Sequence, residues 1–237
     1  MASELRLIIF DCDGVLVDSE PLAFRVLLEG LAAAGHPMEP AKAYELFLGR
    51  SLANLKTVLR RELGVELSAE QLEEMRERLF EVYRRELKPI PGIVETLGRL
   101  TIPSCVASSS LPDRIRLSLE VTGLLGRFDP HLFSASMVAK GKPEPDLFLH
   151  AAGQMGVAPE ACLVIEDSAP GIEAARRAGM TVFAFTGGGH AAGLAYRQGL
   201  AALSPDALFD DMRELPAMIL RFRHPRESGN PGQPASS

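Results

Sequence analysis

Cysteine is scarce. The 237 residues hold three, Cys12, Cys105 and Cys162, and none stands in a Cys-x-x-Cys pair, so neither a disulfide framework nor a zinc knuckle is expected. No apolar run approaches the ~18–20 residues of a membrane span. The early stretch Leu7 to Phe10 stops at an aspartate. The opening Met1-Ala2-Ser3-Glu4-Leu5-Arg6 lacks the shape of a signal peptide, which points to a cytoplasmic protein without membrane contact. No internal repeat is visible. The 21 glycines and 17 prolines are too few for a collagen-like or mostly disordered chain.

Concentrated positive charge is also missing. The chain has net charge −6, and residues 1–220 alone carry 22 basic against 30 acidic side chains. A nucleic-acid binder normally needs a basic stripe to neutralise phosphates, so no nucleic-acid partner is expected. The tail Arg221-Phe222-Arg223-His224-Pro225-Arg226 and the Gly-, Pro- and Ser-rich residues after it read as a solvated, disordered terminus, 221–237.

What is present has a clear rhythm. Leu5 to Phe10 ends at Asp11, Ile102 to Ala107 at Ser108, and Leu163 to Ile165 at Glu166 and Asp167; Thr181 to Phe185 ends before Gly187-Gly188-Gly189. Short, nearly all-apolar runs with β-branched residues suit parallel strands covered on both faces. Between them, Pro91 to Leu100, Pro112 to Val121, Pro145 to Met155 and Pro170 to Ala178 read as helices opened by proline. Gly123, Gly156 and Gly179 stand where left-handed caps belong. Alternating strand and helix predicts a doubly wound, Rossmann-like parallel α/β sheet.

From Ser19 to about Lys88 the pattern becomes purely helical. Segments 21–34, 40–48 and 51–63 read as helices, and Ser68-Ala69-Glu70-Gln71 as a capping box. That box opens a helix with Leu72, Met75, Leu79, Val82 and Tyr83 on one face. The expected organisation is a core of 1–18 and 89–220 with a helical domain, 19–88, inserted over the carboxyl ends of the strands, where ligands bind in open α/β sheets.

The polar residues at those strand ends could do chemistry. Asp11 and Asp13, two apart in extended backbone, would point the same way. Glu166 and Asp167 arrive at the same edge of the sheet. Two carboxylates ~4 Å apart repel by roughly 4 kcal/mol at an effective dielectric near 20, so the cluster needs protonation or a cation. An oxygen-only site that also holds phosphate favours Mg²⁺. Lys142, before a proline-stiffened turn, could balance the acids. Ser108, Ser109 and Ser110, ahead of a helix N-terminus, could cradle an anion, and one of them could equally cap that helix. The five histidines occupy no recognisable motif, and Cys12, between the two aspartates, reads as a small buried residue. Asp11 could attack phosphorus with Mg²⁺ and Lys142 neutralising the charge, while Asp13 protonates the leaving oxygen and later activates water.

At this point the residues resemble a family. Phe10-Asp11-Cys12-Asp13-Gly14-Val15-Leu16-Val17-Asp18-Ser19-Glu20 resembles the first motif of the haloacid dehalogenase-like hydrolases. Val106-Ala107-Ser108-Ser109-Ser110 resembles the second, Lys142-Pro143-Glu144-Pro145-Asp146 the third, and Ile165-Glu166-Asp167-Ser168-Ala169-Pro170-Gly171-Ile172 the fourth, in the family's order. The resemblance implies that Asp11 is the phosphoryl acceptor and Asp13 the general acid and base. It implies Mg²⁺ held by the Asp11 side chain, the Asp13 carbonyl and Asp167, with help from Glu166 in the β-phosphoglucomutase subgroup. Ser108 and Lys142, with Ser109 beside them, would hold phosphoryl oxygens, and Arg50 in Gly49-Arg50-Ser51 would reach the substrate from the cap.

Departures from related chemistries narrow the activity. The dehalogenases themselves lack the second aspartate of the first motif, present here as Asp13. Phosphonatases need a Schiff-base lysine early in the cap, and no lysine lies between Asp13 and Lys42. β-Phosphoglucomutases carry a histidine in the first cap helix, where this chain has Leu22-Ala23-Phe24. The expectation is a monomeric, Mg²⁺-dependent phosphatase for a small sugar or sugar-acid phosphate. A hexose-phosphate mutase is the first alternative and a non-catalytic phosphometabolite-binding protein the second.

Overall fold

The computed structural model describes residues 4–40, 43, 46, 58–61 and 64–223. Its centre is a six-stranded parallel sheet built from β1 (Leu7–Phe10), β2 (Ser104–Ser108), β3 (Leu132–Ser134), β4 (Cys162–Glu166), β5 (Thr181–Phe185) and β6 (Ala207–Phe209), in the order β3-β2-β1-β4-β5-β6. β1 is fully buried and lies between β2 and β4, with Phe10 paired to Val106 on one side and Ile165 on the other. The strand order reverses at β1, which makes its carboxyl end the place where a ligand site can open.

Alternation along the strands assigns the two faces. Ile8, Phe10, Val106, Leu163, Ile165, Phe183 and Phe185 pack against Ile115, Leu119, Phe128, Leu215 and Ile219. Their neighbours Leu7, Ile9, Cys105, Ala107, Val164, Val182 and Ala184 pack on the opposite face against Leu147, Phe148, Ala151, Ile172 and Ala175. Side chains of this size stabilise by about 1.5–3 kcal/mol each when fully buried, so the near-continuous apolar runs follow from burial on both faces.

Six helices begin and end close to the expected residues, α1 (Glu20–Ala33), α2 (Ala69–Glu86), α3 (Ile93–Arg99), α4 (Pro112–Val121), α6 (Asp146–Gln154) and α7 (Ala169–Arg177), while α5 (Leu125–Phe128), α8 (Leu194–Ala202) and α9 (Leu215–Arg223) carry no expectation from the sequence. The capping box at Ser68 forms in both directions, Gln71 N donating to Ser68 Oγ and Ser68 N to Gln71 Oε1. Gly123, Gly156 and Gly179 all take positive φ.

Three expectations are corrected. β3 and β6 were not anticipated: at three residues each, on the sheet edges, they are too short to show periodicity. β2 starts at Ser104 rather than Ile102. Helix α9 runs on to Arg223, into the stretch expected to be disordered, because Phe222 meets Phe183 edge-on with ring centroids 5.5 Å apart. Residues 224–237 lie outside the described residues, as does most of the helical segments expected at 40–48 and 51–63.

Between β1 and α3 the chain makes its helical excursion. It leaves and returns side by side: Val17 and Pro89 form an antiparallel bridge, Asp18 N donates to Lys88 O (3.0 Å), and Ile90 N donates to Leu16 O (2.9 Å). Phe24, Leu27, Leu31, Ala43, Val58, Leu59 and Val65 form a cluster of their own. Helix α2 spans both regions. Its Met75 packs on that cluster, while Leu79, Val82 and Tyr83 join the sheet-side core.

Candidate active site

Three strand ends converge on one patch. β1 delivers Asp11, the end of β2 is Ser108, and β4 delivers Glu166 and then Asp167; the loop before α6 brings in Lys142. The Lys142 ammonium, 4% exposed, donates to Asp11 Oδ1 and Glu166 Oε1, each at 2.6 Å, and to the carbonyl of Ala107 at 3.1 Å. Burial by itself would lower the lysine's pKa, but the two carboxylates outweigh it and raise the value. Lys142 is therefore a fixed positive charge.

Glu166 is wholly buried, and its two oxygens do different work. Oε1 takes Lys142. Oε2 accepts from Asp167 N (2.9 Å), Ser168 N (2.8 Å) and Ser168 Oγ (2.9 Å), at the N-terminus of α7, where the helix dipole favours a negative charge. A Cβ at Gly171 would fall onto this carboxylate, so only glycine fits at this position in the first turn of α7.

Asp13 faces a different set of partners. Ser19 Oγ donates to its Oδ1 at 2.6 Å, Ser110 Oγ to Oδ2 at 2.6 Å, and Arg114 Nη2 to Oδ1 at 2.9 Å. Burial would raise its pKa, yet the Arg114 charge and the two hydroxyl bonds together hold it below the usual carboxylate value. Asp11 shows the reverse. Burial pushes its carboxyl well up; Lys142 pulls it down, but Glu166, Asp167 and Asp13 add repulsion. Cys12 turns away from both into the core, as expected, at 1% exposure.

Asp167 Oδ2 lies 3.0 Å from His190 Nε2. Burial raises the Asp167 pKa, and the histidine bond offsets this only in part. Tyr196 OH donates to the Asp167 carbonyl at 2.9 Å and its ring stands edge-on to His190. Gly14, at φ +81°, leaves the room that Asp167 and His190 occupy; a side chain there would meet both.

Comparisons with known proteins identify the family. The profile of the haloacid dehalogenase-like hydrolases matches residues 5–179. The 6-phosphogluconate phosphatase of Escherichia coli is 32% identical over 189 residues, which cover 79% of this chain and 86% of that one. Hexitol phosphatase A of the same organism is 30% identical, over 74% and 81% of the two chains. A crystal structure of a conserved haloacid dehalogenase-like protein of unknown function from Agrobacterium tumefaciens superimposes with a TM-score of 0.80 at 39% identity, covering 92% of this chain and 99% of that one. The chain belongs to the haloacid dehalogenase-like hydrolase family. It is an enzyme of the family's phosphatase type.

Within this haloacid dehalogenase-like fold, the donor set fits a cation. Asp11, Glu166 and Asp167 each offer an oxygen, all within 4.8 Å of one another and all buried. Lys142 takes Oδ1 of Asp11 and His190 takes Oδ2 of Asp167, which leaves Asp11 Oδ2 and Asp167 Oδ1 to receive it. Glu166 is more fully engaged, by Lys142 and the α7 amides. An all-oxygen set beside a fixed ammonium suits a hard ion.

The structure thus brings together Asp11, Asp13, Lys142, Glu166 and Asp167, with Ser108 at their edge. Ser108 is 1% exposed and its hydroxyl accepts from Ser110 N at 3.1 Å. Helix α4 takes no side-chain cap from any of the three serines, its N-cap position being Leu111. Ser109 is exposed on the loop after β2. Arg50 lies outside the described residues. Sequence reasoning did not find Ser19, Arg114 and His190, or the bond from Ser110 to Asp13. One signal was available for the histidine: it follows Gly187-Gly188-Gly189 past β5, at the same edge of the sheet.

Proposed function

We propose that the protein is a cytoplasmic Mg²⁺-dependent phosphatase acting on a small sugar or sugar-acid phosphate through an aspartyl-phosphate on Asp11. The observation behind this is the division of labour between two neighbouring carboxylates. Asp11 lies against a buried ammonium, whereas Asp13 lies among hydroxyl donors and a guanidinium.

In this reading an oxygen of Asp11 forms a bond to phosphorus while the bond from phosphorus to the ester oxygen breaks. Lys142, with the amide-rich turn at Ser108–Ser110, holds the phosphoryl oxygens as charge builds on them. Asp13, which the bound phosphoryl dianion beside it would bring to take up a proton, gives that proton to the departing alkoxide. It then takes a proton from water, which attacks the phosphorus and frees Asp11 as a carboxylate and the phosphate as inorganic phosphate. Bound Mg²⁺, held by Asp11, Asp167 and the Asp13 carbonyl with Glu166 in support, would supply electrostatic stabilisation of the transferring group.

Residues 19–88 act as a cap whose two connections, near Asp18-Ser19 and Lys88-Pro89, serve as hinges, with Arg50 reaching the substrate from the cap. The sugar-acid preference draws support from the 6-phosphogluconate phosphatase relative. Phosphate release from a panel of sugar, sugar-acid and nucleotide phosphates, with Mg²⁺ or EDTA and beside Asp11→Asn, tests the reading. The expected result is metal-dependent release that vanishes in the variant. Interconversion of hexose phosphates on adding a bisphosphate, without free phosphate, would replace it with the mutase.

A further inference from the structure

We propose that Arg114 is the positioning residue for the acid–base group Asp13, and that Tyr83 of α2 holds Arg114 in place across the boundary between the helical excursion and the sheet layer. The inference rests on reading Asp13 as the acid and base.

One nitrogen makes the link. Arg114 Nη2 donates to Asp13 Oδ1 and to Tyr83 OH, both at 2.9 Å, and the guanidinium carbon stands 5.5 Å from the centre of the Tyr83 ring. Tyr83 is completely buried, and the Arg114 and Asp13 side chains are each 12% exposed. Arg114 Nε is buried without a hydrogen-bond partner, so the guanidinium is directed through Nη2 rather than satisfied all round. A buried ion pair is poor evidence of a stabilising role, since apolar residues of similar volume often serve stability as well. What distinguishes this pair is its location.

Ser19 and Ser110 also donate to Asp13, but a hydroxyl hydrogen turns freely about its C–O bond and constrains a carboxyl only loosely. Arg114 sits in the first turn of α4, and the aromatic ring beneath it limits its rotamers. No hydrogen bond or ion pair joins it to Asp11, Lys142 or Asp167, so its action on the reaction runs through Asp13. The ring and hydroxyl of Tyr83 belong to the last helix of the excursion before the chain returns at Pro89. The orientation of Asp13 is therefore tied to how that helix lies on the sheet layer. Misplacing a catalytic group by about 1 Å costs on the order of 100-fold in rate.

The leaving group provides the test. Expelling an alkoxide needs a proton from Asp13, whereas p-nitrophenolate leaves without one. The constant kcat/KM reports the first irreversible step, so it isolates phosphoryl transfer from the later water attack. It should be measured for p-nitrophenyl phosphate and for the alkyl phosphate hydrolysed fastest in the panel, in the wild type, Arg114→Ala, Arg114→Lys, Tyr83→Phe and Asp13→Asn. Arg114→Ala is expected to lose about 100-fold on the alkyl phosphate and less than about 5-fold on the aryl one. Arg114→Lys should regain about a tenth or more of the wild-type value, and Tyr83→Phe, which removes only the hydroxyl, should show the same selectivity to a smaller extent.

An equal fall on both substrates, no fall, or a rise on the alkyl phosphate would overturn the inference. Tyr83→Phe keeps the test decisive should Arg114→Ala fold poorly. Asp13→Asn separates the two levels: unchanged turnover there removes the acid–base reading itself, while a selective loss there without one in Arg114→Ala removes only the role of Arg114.

Discussion

Glu166 and Gly171 share one small volume, the carboxylate lying where a side chain at residue 171 would begin. The first turn of α7 closes on Glu166 so tightly because Oε2 accepts three bonds from Asp167 and Ser168. Gly171→Ala should push the carboxylate off these donors and away from Lys142. Overpacking of this kind costs about 1–3 kcal/mol, and buried donors left unmatched add to it. The urea midpoint should fall accordingly, and phosphate release should fall at least 10-fold; a variant with wild-type midpoint would show that the turn has room.

Lys142 is the only cation that touches Asp11 and Glu166 among the described residues. Lys142→Met should leave both charges buried and unpaired, which costs about 3–5 kcal/mol, and should abolish phosphate release. Lys142→Arg is expected not to rescue activity, because a planar fork cannot replace a compact ammonium that meets three oxygens at once. Equilibrium unfolding alongside a phosphate assay checks both variants.

The acidic cluster predicts a thermal signature of metal binding. Mg²⁺ at about 100 times its dissociation constant should stabilise the protein by about 2.7 kcal/mol, read as a rise in Tm. Asp167→Asn should remove that rise, together with the heat of Mg²⁺ binding by calorimetry. An unchanged Tm on adding Mg²⁺ to the wild type would count against the cation site.

Arg76 of α2 pairs with Asp113 of α4, a second link between the helical excursion and the sheet layer. Slight burial would raise the Asp113 pKa, but the Arg76 bond and the Arg114 amide outweigh it and lower the value. A depressed carboxyl gives stability that is present above its unfolded value, about 3.9, and is lost as pH falls through the lower folded value. Both side chains are more than a third exposed, at 37% and 44%, so the pair is worth about 0.5 kcal/mol or less and is screened by salt. Asp113→Asn should therefore lower Tm slightly at pH 7 in dilute buffer. The difference should vanish near pH 2 or in molar salt.

The readable part of the molecule was the part written in consecutive residues. Apolar runs that stop at Asp11, Ser108 and Glu166 mark the central strands because each is buried on both faces and then meets the site. Proline at the start of α4 and glycine after it mark a helix by backbone geometry alone. The environment of Asp13 left no such trace. Ser110 and Arg114 lie about a hundred positions away in the chain, and only the pairing of β1 with β2 brings them to it. His190 was passed over for the same reason, since its partner Asp167 comes from the neighbouring strand. The edge strands β3 and β6 escaped notice because three residues cannot display an alternation.

The side-by-side passage of the chain at Val17 and Pro89 has an evolutionary consequence. The chain between those two residues leaves and re-enters the sheet layer at one place, so insertions and deletions in it, away from Ser19 and the sheet-facing side of α2, leave the registers of β1, β2 and β4 untouched. The phosphoryl-handling machinery can stay constant while the rest of the excursion diverges around Ser19 and Tyr83, the two of its residues that reach Asp13 and Arg114. A lineage built this way can acquire new substrates by exchanging one cassette.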